Sequence, residues 1–377
     1  MRRYLRYAVL GARILLPSRE ERRQARLIRE SGLFDRTWYL ACNPRLPRIC
    51  RWLPERHYVL VGEALGLCPS PGFSPRAYRH RTPGLPEGVG EFAHYITSGE
   101  AREMREHPAG QNAPALPVIA PAPPEAPFAV ILHLYYRENW PDLARRLARQ
   151  RFAFDLFVTL TKDPAVPDAA IRARIRADFP QARITSFPNH GRDILPFLHL
   201  ARSGALSGYR AICKIHTKRS PHRADGETWR DRLLDGVLGD PARVARRLEA
   251  FLTWPDAGIW VANGQILEGP DWWGPNRARA GEILNRAGIA PGDLRFAAGS
   301  IYWIRPELLL HLAALPVGPE DFEEEMGQVD GTTAHALERA FGLVARQAGL
   351  ALIEARDLDR PPAAPRMAQD GTGRDGR

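Results

Sequence analysis

Two of the chain's three lysines, Lys214 and Lys218, stand four residues apart in the decapeptide CKIHTKRSPH (213–222). The rest of the positive charge is carried almost entirely by fifty arginines. Lysine presents a compact ammonium suited to phosphate oxygens, whereas arginine favours flat bidentate contacts. Strand alternation would place Lys214, His216 and Lys218 on one side, with Arg219 and His222 completing a cationic patch. Such a patch could neutralise a diphosphate leaving group where no metal does so. A solvated basic loop is the plainer account of the same residues.

Three further segments could carry chemistry. In NHGRD (189–193), Asn189, Arg192 and Asp193 could hold a nucleotide or a sugar. Gly191 admits close backbone approach there, and Asp193 can cap the helix that follows. A capped turn closed by an internal Arg192–Asp193 pair explains these residues equally well. The acidic run Glu320, Asp321, Glu323, Glu324, Glu325 precedes Asp330 and a helix with Thr332 or Thr333 as N-cap. A carboxylate isolated at a helix entrance in a cleft can serve as a general base. Capping and solvation account better for Glu320 to Glu324, and Glu325 and Asp330 stay open between the two readings. On that helix His335 and Glu338 share a face away from the stripe of Leu337, Phe341 and Val344. Trp272 and Trp273 could stack on a sugar face, although adjacent tryptophans are as often core.

Positioning these residues requires an α/β domain. Apolar runs at 128–136, 154–161, 182–189, 209–217, 257–263, 295–304 and 350–355 read as strands. Amphipathic stretches at 139–150, 167–180, 226–239, 241–253 and 332–347, and RDILPFLHLARSG from residue 192, read as helices. Strands alternating with helices predict a mostly parallel central sheet, with ligands outside the carboxyl ends of its strands. That rule selects LYYRENW after the first strand, NHGRD after the third, KIHTKRSPH after the fourth and AAGSIYW in the penultimate strand, with the acidic run between that strand and the last helix.

Ahead of this domain, residues 31–107 contain a duplication offset by 37 to 39 residues. It pairs Phe34 with Phe73, Tyr39 with Tyr78, His57-Tyr58 with His94-Tyr95 and Gly62-Glu63 with Gly99-Glu100. Repeats of this length predict a small module of stacked helical hairpins, with the two histidines in packing or turn roles. Residues 108–127, rich in Pro and Ala, read as a semi-rigid extended linker. Residues 128–358 form the α/β domain, and 359–377 a disordered tail. Residues 1–30 are basic, with an apolar run broken by Arg13 and too short to span a bilayer. They read either as an interfacial membrane helix or as a solvated helix packed on the rest of the chain.

The formal net charge of +10 favours phosphorylated substrates or an anionic membrane surface, but a genome-wide preference for arginine would also produce it. A hydrophobic fraction of 44% with 25% charged residues is ordinary for a soluble globular chain. Cys42, Cys50, Cys68 and Cys213 form no CxxC pair, and no secretory signal is read, so free thiols in a reducing compartment are expected. There is no GxxxxGK[ST], GxGxxG or GxSxG motif. The one Asp-x-Asp, Asp357–Asp359, lies near the tail, and the fourth strand ends in a Lys/His segment rather than a paired-aspartate metal site. Only the net charge speaks for nucleic-acid binding, which is not expected.

The segments ILHLYYRENW, NHGRDILPFL, YRAICKIHTKRSPH…WRDRLLDGVLG, WWGPNRARAGEIL, FAAGSIYWIRPELL and EEEMGQVDGTTAHALERAF, in that order over about 128–358, resemble the rhamnan synthesis protein F family. The duplication resembles FD…WYL…NP…HY…G repeats found beside bacterial glycosyltransferase modules. Its second copy departs from them, with Arg-Ala-Tyr-Arg where Tyr-Leu is usual. The resemblance implies cell-surface polysaccharide assembly, with transfer of rhamnose or a related deoxysugar from a nucleotide-sugar donor to a glycan or lipid-linked acceptor. A cytoplasmic location is implied, peripheral on the inner membrane. The strand–helix layout, with AGS in a late strand and an acidic loop before a helix, is similar to a GT-A-like glycosyltransferase. By that analogy Asp330 or Glu325 deprotonates the acceptor. Lys214, His216 and Lys218 stabilise the departing diphosphate, Asn189, Arg192 and Asp193 hold the donor, and Trp273, His335 and Glu338 meet the acceptor. Metal dependence is left open, with a metal-independent inverting transfer as the working expectation. A non-catalytic glycan-binding or assembly partner, and a membrane-surface adaptor, are the other classes.

Overall fold

The computed structural model describes residues 13–360 except 44–45, 71–72, 74, 76–77, 80–81, 83–84, 86–88, 99–112, 164, 218–225, 291, 326–327 and 329. Lys218, Arg219 and His222 therefore lie outside the described residues, as do residues 1–12 of the basic segment and 361–377 of the tail.

The N-terminal part holds short helices α1 (Arg19–Ser31), α2 (Arg36–Cys42), α3 (Arg48–Trp52), α4 (Pro54–His57) and α5 (Glu91–Thr97). They enclose an aromatic core that includes Tyr39, Tyr58, Phe73, Tyr78, Phe92 and Tyr95. The paired positions make like contacts. Tyr39 Oη lies 2.8 Å from His57 Nδ1, and Tyr78 Oη lies 2.7 Å from His94 Nδ1. Phe34 meets Tyr39 at 5.0 Å between ring centroids, and Phe73 meets Tyr78 at 5.3 Å.

Glu63 is set into this core, accepting from Phe92 N at 2.7 Å and from Tyr58 Oη at 3.1 Å. Burial raises its carboxyl to about 7, with the Phe92 bond opposing. The folded chain therefore holds this proton more tightly than the unfolded chain does. Stability falls as pH rises from about 4.5 to 7, by about 1–3 kcal/mol, and stays lower above that. Amide exchange in segment 54–97 should be slower at pH 5 than at pH 8 after correction for intrinsic rates. Glu63→Gln should abolish the difference; a wild type with no difference would refute the buried-carboxyl account.

The α/β domain contains β1 (Phe128–Leu134), β2 (Phe154–Thr161), β3 (Arg183–Phe187), β4 (Ala211–His216), β5 (Ala257–Val261), β6 (Ile266–Glu268), β7 (Arg295–Ala297), β8 (Tyr302–Ile304) and β9 (Ala351–Glu354). Seven strands form one sheet in the order β3-β2-β1-β4-β8-β5-β9, with only β8 reversed. The mostly parallel sheet expected from the apolar runs is present. Such strands are buried on both faces, which explains why β1 reads as the unbroken run FAVILHL. The expected strand 295–304 is instead two strands in different sheets. β7 pairs with β6 in a separate ribbon, the turn through Ala298, Gly299 and Ser300 intervenes, and β8 enters the large sheet.

Helices α6 (Trp140–Ala148), α7 (Ala169–Asp178), α9 (Gly226–Leu238) and α10 (Pro241–Thr253) cover one face, and α8 (Ile194–Arg202), α11 (Arg277–Arg286), α12 (Pro306–Ala313) and α13 (Thr333–Gln347) the other. A short α14 (Ala355–Leu358) follows β9. The expected helix 241–253 is reproduced to the residue, because Asp240 caps it through Arg243 N at 2.8 Å and Pro241 starts it. The described part of the expected linker, 113–127, is extended but not a free spacer. Leu116 and Ile119 pack on the core, and Pro117 O lies 2.7 Å from His199 Nε2.

β7 crosses α13 at Gly342, where an added Cβ would come within 1.7 Å of Arg295 O. An alanine normally favours a helix interior by about 1 kcal/mol over glycine. Here Gly342→Ala should instead destabilise by about 3 kcal/mol, since backbone is what it strikes. Urea denaturation would show this, and a stabilised variant would contradict the packing.

Candidate functional site

The chain runs outward from β1 to β3 and then returns to place β4 on the other side of β1. The strand order thus reverses between β1 and β4, the kind of place where open sheets bind ligands. Thr217 closes the strands' ends: its N donates to His133 O at 3.0 Å, and its Oγ1 accepts from Tyr135 N at 2.9 Å and Tyr136 N at 3.0 Å.

Alternation gives one face of β1 and β4 to Ile131, His133, Lys214 and His216. The expected same-side placement of Lys214 and His216 is found. The expected exposure of Lys214 is not, because β8 runs beside β4 and the start of α8 covers it. Lys214 is 1% exposed. Its Nζ is bonded to Asp193 Oδ2 and donates to Ser300 O at 3.0 Å and Ser300 Oγ at 2.8 Å. It also lies 5.5 Å from the ring centroids of both Phe197 and Tyr302. His216 Nε2 is 2.9 Å from Gly299 O and 4.0 Å from Asp193 Oδ2. Burial works to raise the Asp193 carboxyl, but His216 and Lys214, joined by His133, hold it well below the usual aspartate range. Asp193 stands at the N-cap of α8 without a side-chain cap bond, since its carboxylate turns to Lys214. Neither the expected cap nor an Arg192–Asp193 pair forms.

Arg192 turns to the opposite side. Its φ is 55°, and Gly191 before it has φ 65° with no room for a Cβ against Leu195. This left-handed turn sends the guanidinium to the acidic loop. Arg192 donates to Gln328 O, reaches His335 Nε2 at 3.2 Å and stands 3.4 Å from Glu325 Oε2. His335 Nδ1 lies 2.8 Å from Thr332 Oγ1 and accepts from Thr332 N at 3.4 Å. Thr332, of the two candidate threonines, is the N-cap of α13. Asn189 is exposed at the start of the turn.

The two candidate bases differ. Asp330 Oδ1 accepts from Asn276 Nδ2 at 3.0 Å, and its Oδ2 is 3.3 Å from Arg339 Nη2. Burial raises the Glu325 carboxyl above the ordinary glutamate range, against the pull of Arg192 and His190. Two of the other acids are engaged within the fold. Glu323 accepts from Thr333 N at 2.8 Å, and Asp321 pairs with Arg286 at 2.9 Å. Glu338 Oε1 accepts from Gly299 N at 2.7 Å, so it holds the turn beside Lys214. Trp273 packs in the core and offers no face for stacking; the half-exposed ring of the pair is Trp272.

Tyr135 and Ser300 lie in segments marked only by their place in or after a strand, with no role read for either residue. Tyr135, half exposed, lies in the fields of Glu325 and Arg192. Ser300 has φ 55°, a strained position for a side-chain-bearing residue. His133 was legible from alternation alone, on the same face as Lys214. The N-terminal module also reaches the site. α2 packs on the Pro270–Asn276 turn, and Cys42, its thiol pushed up by burial, feels the charges of Asp330 and Arg339. All four cysteines are free.

Among the described residues no three His, Cys, Asp or Glu side chains converge as metal ligands. Asp357 and Asp359 are engaged elsewhere, with Glu354 N at 2.8 Å and with Arg247. No described helix is long and apolar enough to cross a membrane.

Two curated relatives, both named "Uncharacterized protein WxcX", come from Xanthomonas campestris pv. campestris strains ATCC 33913 and B100. Each is 35% identical over 224 residues, which is 58% of this chain and 31% of the relative. The chain thus spans about a third of the length of these relatives. The family model for rhamnan synthesis protein F matches residues 120–350, which takes in β1 to β8, the Arg192 turn and the acidic loop. That is more than half of the chain, and the chain belongs to the rhamnan synthesis protein F family.

Proposed function

We propose that the protein is a glycosyltransferase of cell-surface polysaccharide synthesis. It transfers rhamnose or a related deoxysugar from a nucleoside-diphosphate donor to a glycan or lipid-linked acceptor. The observation that carries this reading is the meeting of Arg192, Glu325 and His335 beside the β1–β4 switch point. There a carboxylate with raised proton affinity faces a cation in a setting of the GT-A kind.

In the proposed step the acceptor hydroxyl oxygen attacks the anomeric carbon and its proton passes to Glu325 Oε2. The bond from that carbon to the diphosphate oxygen breaks with its electron pair leaving on the diphosphate, and the anomeric centre inverts. Arg192 steadies the developing charge. Tyr135 offers a ring to the donor nucleotide. Trp272 offers one to the acceptor, on the side where α2 and Cys42 approach Asp330. Lys214, His216 and Asp193 act by positioning the Ser300 turn and the start of α8, and Glu338 holds the same turn. The site belongs at the cytoplasmic face of the inner membrane, where nucleotide sugars are made.

Release of nucleoside diphosphate from a panel of nucleotide deoxysugars, with and without acceptor lipid, tests the reading. Acceptor-dependent release supports it. Glycan binding without release from any donor would move the protein to the assembly-partner class, which the mutual pairing of Asp330 and Arg339 also suits.

A further inference from the structure

The face of the sheet opposite to the Lys214 cluster carries a second charged feature. Between α6 and α10 lies a cleft of about 540 Å³, rich in arginine. Its floor is neutralised. Arg146 pairs with Asp142, Asp231 and Asp235, and Arg247, 6% exposed, is gripped by both oxygens of Asp359 at 2.8 and 2.7 Å. Its rim is not. Arg145 on α6, Arg149 just past the C-terminal end of α6, and Arg243 on α10 are exposed guanidinium groups lining the opening. Arg145 has Asp142 at 3.6 Å. Neither Arg149 nor Arg243 has a hydrogen-bonding or ion-pairing partner for its guanidinium among the described residues.

Of the five arginines in the cleft, Arg146 and Arg247 are held by acids and Arg145 stands beside Asp142, whereas the guanidinium groups of Arg149 and Arg243 are left unpaired; Asp240, also in the lining, is taken up in capping α10 through Arg243 N. Paired floor arginines are fixed in place, so they shape the cleft. Unpaired rim arginines pay no cost for breaking an existing pair when an anion arrives. Two facing helices then present planar forks, which match phosphoryl oxygens two at a time. The cationic field is also felt by Asp359, whose carboxyl is held below the usual range first by the Arg247 bond, against burial, and further by Arg247, Arg243 and Arg246.

We propose that this cleft is a phosphoryl-anion site, separate from the candidate transfer site and bounded by Arg145, Arg149 and Arg243. It has ample room for a phosphate or diphosphate group, free or as the headgroup of a lipid. The proposal does not depend on glycosyl transfer.

Titration calorimetry with inorganic pyrophosphate, ionic strength held constant with acetate, tests the free anion. Flotation with phosphatidylcholine vesicles, with and without phosphatidic acid, tests the headgroup. The probes are applied to the full chain, to Arg149→Glu/Arg243→Glu and to Arg192→Ala. The exposed rim should tolerate the charge reversal, which circular dichroism checks, and the Lys/Lys pair at 149 and 243 should restore part of the binding. Expected is at least a tenfold loss of pyrophosphate or phosphatidic acid binding at this cleft in the Glu/Glu variant, while Arg192→Ala weakens only the pyrophosphate held at the candidate transfer site. Loss in the first probe assigns a free anion, and loss in the second alone assigns a lipid headgroup. Binding unchanged in the Glu/Glu variant, or no binding by the wild type in either probe, overturns the proposal.

Discussion

Glu325→Gln should lower kcat for sugar transfer by about 10²–10⁴-fold while leaving donor binding within about twofold, the range general-base catalysis supplies. Gln keeps the shape and the hydrogen-bonding reach of the side chain but cannot take a proton. The carboxyl is suited to the task because burial raises its proton affinity, and Arg192 at 3.4 Å keeps enough of the anion available. The wild-type pH–rate profile should therefore have an acid limb above the ordinary glutamate range, absent in the variant. Asp330→Asn makes the comparison sharp. Asp330 is tied to Asn276 and Arg339, so its loss should raise the acceptor KM more than it lowers kcat. If Glu325→Gln turns over at the wild-type rate and Asp330→Asn does not, the base is Asp330 and the reading of the acidic loop is wrong.

What the sequence shows about this site depends on the range of the interaction involved. Period and capping are local, so β1, β2, β4 and α10 were legible with bounds close to those observed. The same-face placement of Lys214 and His216 followed from strand parity. Burial of Lys214 did not, because it depends on β8 inserting in reverse between β4 and β5, and on Asp193 and Ser300 arriving from 21 and 86 residues away. The break of 295–304 was hidden for a related reason. AAGSIYW is apolar enough for one strand, and only the left-handed Ser300, pinned through Lys214, and Gly299, held by Glu338, show that it turns. Charge type was legible in NHGRD, but partner choice was not. A positive φ at Arg192 throws its guanidinium to Glu325 and leaves Asp193 to Lys214. The Trp272–Trp273 pair shows the same limit, since neighbouring residues in a tight turn point apart and only packing decides which is core.

Lys214→Met should destabilise the protein by about 3–5 kcal/mol, a loss too large to be that of a surface phosphate ligand. Methionine fills most of the volume of the lysine stem and leaves the Phe197 and Tyr302 rings in contact, so the cost is electrostatic rather than steric. Asp193 would remain beneath the sheet edge without its ammonium partner, and Ser300 O and Oγ would lose their donor. Asp193→Asn alone should cost a similar amount, since it strands the ammonium. The double variant Lys214→Met/Asp193→Asn decides between roles. If the pair is a buried structural tie, removing both charges should recover much of the loss, because the second change removes the uncompensated charge left by the first. Stability would return while transfer activity stayed low, since the Ser300 turn and the start of α8 would no longer be held in register. A Lys214→Met protein as stable as the wild type, with weakened donor binding as its only defect, would place the ammonium on the ligand after all. The buried geometry gives it no such freedom. Polar contacts to Asp193 and Ser300 and ring contacts to Phe197 and Tyr302 surround Nζ, and among the described residues Arg192, on the far side of the same turn, is the cation we propose to meet a diphosphate.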